Sequence, residues 1–250
     1  MNSMNYSDKN YIVLNAVEST NNYANQLIVS KEAEEGTVVL AYFQEKGRGQ
    51  RGNFWESEKG KNVLMSIVLF PGFLPADHQF MISKIVSLAL YDFLVSEIQD
   101  VRIKWPNDLY AGNKKIAGIL IENGIKGRNI FSSVLGIGLN LNQEKFISGA
   151  PNPVSLQQLS GKHYEIEVVA KEIVRQVFKW YEKLKEGDFG LIDSMYSARL
   201  FRKNEWSIFC ENGVEFEAKI AGIGEFGQLQ LLRRNGTVSE FMFKEVEFVI

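Results

Sequence analysis

Along this chain, apolar residues first recur at every second position or fill short runs completely, and elsewhere return every three to four residues. These are the periods of strands and of helices. Tyr11 to Val17 reads as a strand that turns at Ser19-Thr20-Asn21 into a helix marked by Ala24, Leu27 and Ile28. Val38 to Phe43 and Asn62 to Phe70 are apolar strands; between them lies a polar stretch, Gln44 to Gly60, with four glycines, long for a plain connection. Asp77 is expected to cap a helix with the face Ile82, Val86, Ala89 and Phe93, reaching about Glu97.

Val101, Ile103 and Trp105 alternate with Arg102 and Lys104, so a strand runs into Pro106 and stops there, with Asn107-Asp108 as turn residues. Gly112-Asn113 reads as a hairpin turn into a strand from Lys115 to Glu122. Ser132 to Leu141 is a further strand, and Glu167 to Lys185 a helix with Val169, Ile173, Val177, Trp180 and Leu184 on one face. Together these elements predict an α+β unit, a mixed central sheet with covering helices. Beyond about Arg199, helical spacing ends and turns recur at Glu211-Asn212-Gly213, Gly224 to Gly227 and Arg234-Asn235-Gly236, the pattern of a small β-barrel. The domains are therefore expected to be residues 1–200 and 201–250, with the boundary near 199–204.

Composition narrows the function. At 250 residues the chain can bury a real core, and its 45% hydrophobic and 23% charged content is that of a globular protein. A formal net charge of −2 gives no global field for nucleic acid, so any anion site is local. Cys210 is the single cysteine, which excludes an internal disulfide framework and a cysteine zinc cluster. Met1 to Asn10 is polar and no window approaches a membrane span; the expectation is a cytoplasmic protein with neither membrane nor nucleic-acid partner. His78 and His163 lie far apart without ligand-like spacing, and no metal site is expected from them.

Three stretches carry candidate chemistry. In Gln44 to Trp55, Gly47, Gly49 and Gly52 expose backbone N–H groups beside the planar forks of Arg48 and Arg51, a composition suited to folding over an anion; a solvated hairpin is the alternative. Lys104-Trp105-Pro106-Asn107-Asp108, with the hairpin returning Lys115, would gather an amide, a carboxylate and an ammonium at one sheet edge, although Asn107-Asp108 alone are ordinary turn residues. In Leu135 to Asn142, period two puts Gly136, Gly138, Asn140 and Asn142 on one face, a bare floor for a ligand or for a close-packed helix. Ser19-Thr20-Asn21 on their own read as a helix cap.

Taken in order, the Ser19-Thr20-Asn21 corner, the Gly47 to Trp55 loop, Lys104 to Asp108, Lys115 to Leu120 and Gly136 to Asn140 resemble the motifs of biotin protein ligases, over nearly the whole chain. The resemblance implies a catalytic domain related to class II aminoacyl-tRNA synthetases and a C-terminal SH3-like barrel. It also implies an enzyme that forms biotinyl-5′-AMP from biotin and ATP with Mg²⁺, then passes biotin to a lysine of a biotin carboxyl carrier protein. Carried over by position, Ser19, Thr20, Asn21, Gln44, Gly47, Arg48, Gly49, Gln50, Lys115 and Gly118 would hold biotin. Arg51, Asn53, Trp55, Asn107, Lys115, Gly138 and Asn140 would hold ATP, and Lys115, Arg48 and Asp108 would do the chemistry. Gln50 stands where many members of the family have a second arginine and Asn53 where some have another, so retention of the adenylate is expected to differ from those members. A lipoate or octanoyl ligase of the same superfamily is the nearest alternative. A repressor role is not expected, because about ten residues precede the first strand; a homodimer through a sheet edge stays open.

Overall fold

A computed structural model describes residues 11–147 and 152–249. The polar Met1 to Asn10 segment and the Arg51 side chain lie outside what is described. The larger part of the chain runs β1 (Tyr11–Leu14), α1 (Thr20–Ser30), β2 (Val38–Ala41), β3 (Val63–Leu69), α2 (Phe80–Val95), β4 (Val101–Lys104), β5 (Asp108–Ala111), β6 (Lys114–Lys126), β7 (Asn129–Leu139), α3 (Leu156–Ser160), α4 (Ile166–Lys185) and α5 (Phe189–Ala198). Its strands form one seven-stranded sheet in the order β1-β2-β3-β7-β6-β5-β4. Only β1–β2 is parallel, which makes the sheet mixed, as expected.

Alternation along the strands decides what each face meets. Met65, Ile67 and Leu69 of β3 pack with Ile82, Val86 and Phe93 of α2 and with Val169, Ile173 and Val177 of α4. The opposite positions, Val39, Val68 and Val134, meet Ala24 and Leu27 of α1. α1 is short, so the rest of that face, with Ser66, Gly118, Gly136 and Gly138, is left for other use. Among the described residues no helix is long and apolar enough to cross a membrane.

Several boundaries differ from the sequence expectation. Asp77 does not cap α2: Ala76–His78 is a separate 3-10 turn, Asp77 pairs with His78 Nδ1 at 2.8 Å, and Gln79 precedes the helix. β1 stops at Leu14, and Val17 returns only as a bridge to Gln44. Asp108 opens β5 instead of lying in the turn, which spans only Trp105 to Asn107. The β6–β7 hairpin is longer than expected, with Gly127 at φ +66° at its tip. The helices α3 and α5 were not anticipated.

The C-terminal strands β8 (Trp206–Glu211), β9 (Val214–Ile223), β10 (Leu229–Arg233), β11 (Val238–Phe241) and β12 (Glu247–Phe248) form a second, antiparallel sheet in the order β11-β10-β9-β8-β12, the small SH3-like unit expected. It docks on the larger sheet through its Gly224 to Gly227 turn. Trp105 Nε1 donates to Gly227 O at 2.8 Å, and Trp105 meets the Phe243 ring edge-on. Gly227 sits at φ +90°, where a Cβ would lie 2.5 Å from Phe80 Cγ. Gly227→Ala is therefore expected to cost about 1–3 kcal/mol through crowding and backbone strain. Urea unfolding would measure it, and a loss under about 0.5 kcal/mol, the size of an ordinary surface change, would show that the contact yields freely.

Candidate active site

Gly118 of β6 and Gly138 of β7 face each other in register, and Leu120 faces Gly136 one step along. The absence of side chains there is used: a Cβ on Gly138 would lie 2.5 Å from Trp55 Cε2, and one on Gly118 would lie 2.8 Å from Trp55 Cζ3. The indole of Trp55 thus lies across a glycine floor contributed by two strands. A Cβ on Gly136 would strike Asn21 Oδ1 at 2.3 Å and Leu120 O at 2.9 Å. Gly118 and Gly138 thus lie under an aromatic ring, whereas Gly136 lies under the Asn21 amide of α1, so one end of the floor is packed against a helix and the other is not.

Trp55 reaches the floor because the Gly47 to Trp55 stretch folds into a tight hairpin, with Arg48 bridged to Phe54, Gly49 N donating to Asn53 O at 2.7 Å and Trp55 N donating to Gly47 O at 2.9 Å. Gly47 is required by that closeness, since a Cβ would sit 2.4 Å from Trp55 O. The segment is a hairpin, but not a wholly solvated one, since Trp55 packs on the sheet.

At the α1 end, Ser19 occupies the cap position without making a side-chain cap bond. Gln44 Oε1 takes that role, accepting from Thr20 N at 2.7 Å and Thr20 Oγ1 at 3.1 Å. Ser66 Oγ, wholly buried, lies 2.8 Å from Thr20 Oγ1 and 2.7 Å from Asn21 Oδ1. Glu122 draws the same corner to the loop: it accepts from Asn21 Nδ2 at 2.9 Å and from Arg48 Nη2 at 2.7 Å, while Arg48 Nη1 donates to Asn22 Oδ1 at 2.7 Å. The Arg48 guanidinium is thereby aligned at the mouth.

On the other side Lys115 Nζ is 2.7 Å from Asp108 Oδ1 and 5.5 Å above the Trp55 ring. Lys104 stands opposite Asp108 in the β4–β5 register, its Nζ 4.7 Å from the Phe248 ring centroid. Burial holds Lys104 below the usual lysine range; the Asp108 carboxylate opposes that shift and Lys115 adds to it. The backbone of Lys115 is fixed by Asn152 and Pro153-Val154, which pair alongside it.

These groups enclose one cavity of about 210 Å³. Of the residues marked in the sequence, Ser19, Thr20, Asn21, Gln44, Arg48, Gly49, Gln50, Asn53, Trp55, Asn107, Asp108, Lys115, Gly118 and Gly138 line it. Gly47 and Asn140 do not: Gly47 closes the base of the hairpin against the Trp55 backbone, and Asn140 Nδ2 is spent on Val154 O at 3.1 Å. Asn107 reaches the wall but also braces β6, donating to Ile119 O at 2.8 Å. Sequence reasoning gave no role to Ser66, Glu122 or Phe243. Ser66 had a signal, a lone hydroxyl in an otherwise apolar strand; Phe243 had none, since it arrives from the second sheet.

The chain matches the model of the Biotin/lipoate A/B protein ligase family over residues 13–140. It is 32% identical to the biotin–[acetyl-CoA-carboxylase] ligase of Paracoccus denitrificans, covering 88% of this chain and 92% of that protein. It is 29% identical to the bifunctional ligase/repressor BirA of Bacillus subtilis, over 92% of this chain and 71% of that protein. The biotin protein ligase from Aquifex aeolicus in complex with biotin and ATP superposes with a TM-score of 0.78 at 25% identity, over 96% of this chain and all (100%) of that one.

Proposed function

This chain belongs to the biotin/lipoate A/B protein ligase family, and we propose that it is an ATP-dependent biotin protein ligase that makes biotinyl-5′-AMP and passes biotin to a lysine of a biotin carboxyl carrier protein. The observation that carries the site assignment is the single cavity in which Lys115, Arg48 and the Trp55-covered floor line the same space. Residues 1–200 would hold that chemistry and residues 201–250 the SH3-like appendage.

The first obstacle to adenylation is that a carboxylate must approach a polyanionic phosphate. Cations fixed beside both partners lower that barrier, because their charge is placed before the reaction begins. Lys115 is held in place by Asp108, and Arg48 by Glu122 and Asn22. In our reading they bracket the biotin carboxylate and the α-phosphate, while Ser19, Thr20, Asn21 and Gln44 bind the polar end of the ring system. Trp55 covers the glycine floor and keeps water from the mixed anhydride. Among the described residues no three His, Cys, Asp or Glu side chains gather to hold a metal. Magnesium would therefore be carried by the nucleotide phosphates, where it usually keeps several waters, and no step here depends on a protein-held ion.

Incubating the protein with ATP, Mg²⁺, a biotin carboxyl carrier domain and either biotin or lipoate, then weighing the carrier, tests the proposal. A mass gain with biotin alone is expected; a gain with lipoate alone would overturn it. Gln50→Arg is expected to slow escape of biotinyl-AMP about tenfold or more, since a guanidinium beside the acyl phosphate adds a charge-assisted bond worth about 1.5–3 kcal/mol. Labelling of bystander proteins measures that escape, and an unchanged level counts against it.

A further inference from the structure

Strand β3 is apolar except at Ser66, and that side chain is wholly buried. A hydroxyl there costs free energy unless it is bonded, and its bonds can be counted. Ser66 Oγ lies 2.7 Å from Asn21 Oδ1 and 2.8 Å from Thr20 Oγ1, yet it has a single proton to give. Its neighbours decide where that proton goes. Asn21 Nδ2 donates to Leu120 O and to Glu122 Oε2, so Asn21 Oδ1 can only accept, and it takes the Ser66 proton. The contact between Ser66 and Thr20 is then closed by the Thr20 proton. The other acceptor within reach of that proton, Gln44 Oε1, is 3.1 Å away and already receives the Thr20 backbone N–H at 2.7 Å. O–H···O bonds run from about 2.5 to 3.0 Å, so the longer contact is the weaker one. Both hydroxyl protons therefore point the same way, from Thr20 to Ser66 to Asn21.

We propose that Ser66 is a positioning residue for substrate choice: it draws the Thr20 proton away from the cavity and leaves the Thr20 hydroxyl facing the ligand as an acceptor only. The inference rests on the ligase reading above. Thr20 lines the cavity and Ser66 does not, so Ser66 acts through Thr20. An acid whose ring carries an N–H, such as the cyclic urea of biotin, satisfies that acceptor. A dithiolane or an alkyl chain has no proton to offer and leaves it unpaired in a buried corner, which is how a polar site rejects an analogue lacking the matching group. Gly136 makes the arrangement possible, because a Cβ there would strike Asn21 Oδ1.

Pyrophosphate release with biotin and ATP, measured on a double-mutant cycle, tests this. Ser66→Ala frees the Thr20 proton to turn toward the ligand. It is expected to raise KM for biotin about fivefold to tenfold, the scale of one neutral hydrogen bond, with kcat and KM for ATP held within about twofold. On a Thr20→Val background the same change should have no further effect on KM for biotin, since the group it acts through is gone. Ser66→Cys keeps a weaker donor at the site; it is expected to fall between serine and alanine and carries the test if the alanine variant does not fold. An unchanged KM for biotin, or an equal rise with threonine or valine at position 20, would overturn the inference and leave Ser66 a packing residue, with the ligase reading intact. Absence of pyrophosphate release by the unaltered protein would overturn the ligase reading, and this one with it.

Discussion

Lys115→Ala is expected to lower adenylate formation by about 100-fold or more, the scale on which a preorganised charge contact in a transition state is lost. The lysine sits at the start of β6, its backbone pinned by the 152–154 segment and its ammonium 2.7 Å from Asp108. It cannot swing far, so its charge is supplied without reorganisation when carboxylate meets phosphate. The sheet should survive the change, because Lys104 remains across the register from Asp108 and keeps a cation near that carboxylate. Pyrophosphate release with biotin and ATP, alongside circular dichroism to confirm folding, gives the measurement. A rate within a few-fold of the unaltered protein would remove Lys115 from the chemistry. Arginine is not expected to restore the rate, since a planar fork cannot occupy the position of a compact ammonium.

What could be read in the sequence was what local periodicity and turn chemistry determine. Strands β2, β3 and β7 and helix α4 carry near-continuous or strongly periodic apolar patterns, and each appears within a few residues of expectation. The glycine pair Gly136 and Gly138 was legible as a floor because period two leaves no choice of face. Its cover was not assured: Trp55 is 83 positions away from Gly138, and only the hairpin closed at Gly47 brings the indole there. Asp77 misled because a good capping residue also suits a 3-10 turn, and Pro75 had already set the chain on that path. Glu122, at the end of an apolar strand, gave no sign that it would tether Arg48 and Asn21 together. Such partnerships depend on sheet order, which one sequence does not display.

Gly138→Val should abolish most of the activity while leaving the fold intact, and so separates the two roles a glycine in a strand can have. Valine is a better strand former than glycine, and β7 is paired on both sides, to β3 and β6; the backbone has no reason to yield. The new Cβ would instead meet the Trp55 ring at 2.5–2.9 Å, and that ring is the far end of a side chain on a loop. The indole must lift, and whatever shares the cavity with it shifts by an ångström or more. A misplacement of that size between reacting groups costs about 100-fold. Gly136→Ala provides the contrast: its Cβ would strike Leu120 O, a backbone atom of β6, at 2.9 Å, so it is expected to lower the urea midpoint as well as the rate. Pyrophosphate release and urea unfolding on both variants decide between the roles. Full activity in Gly138→Val would mean that the floor beneath Trp55 is not where substrate is held.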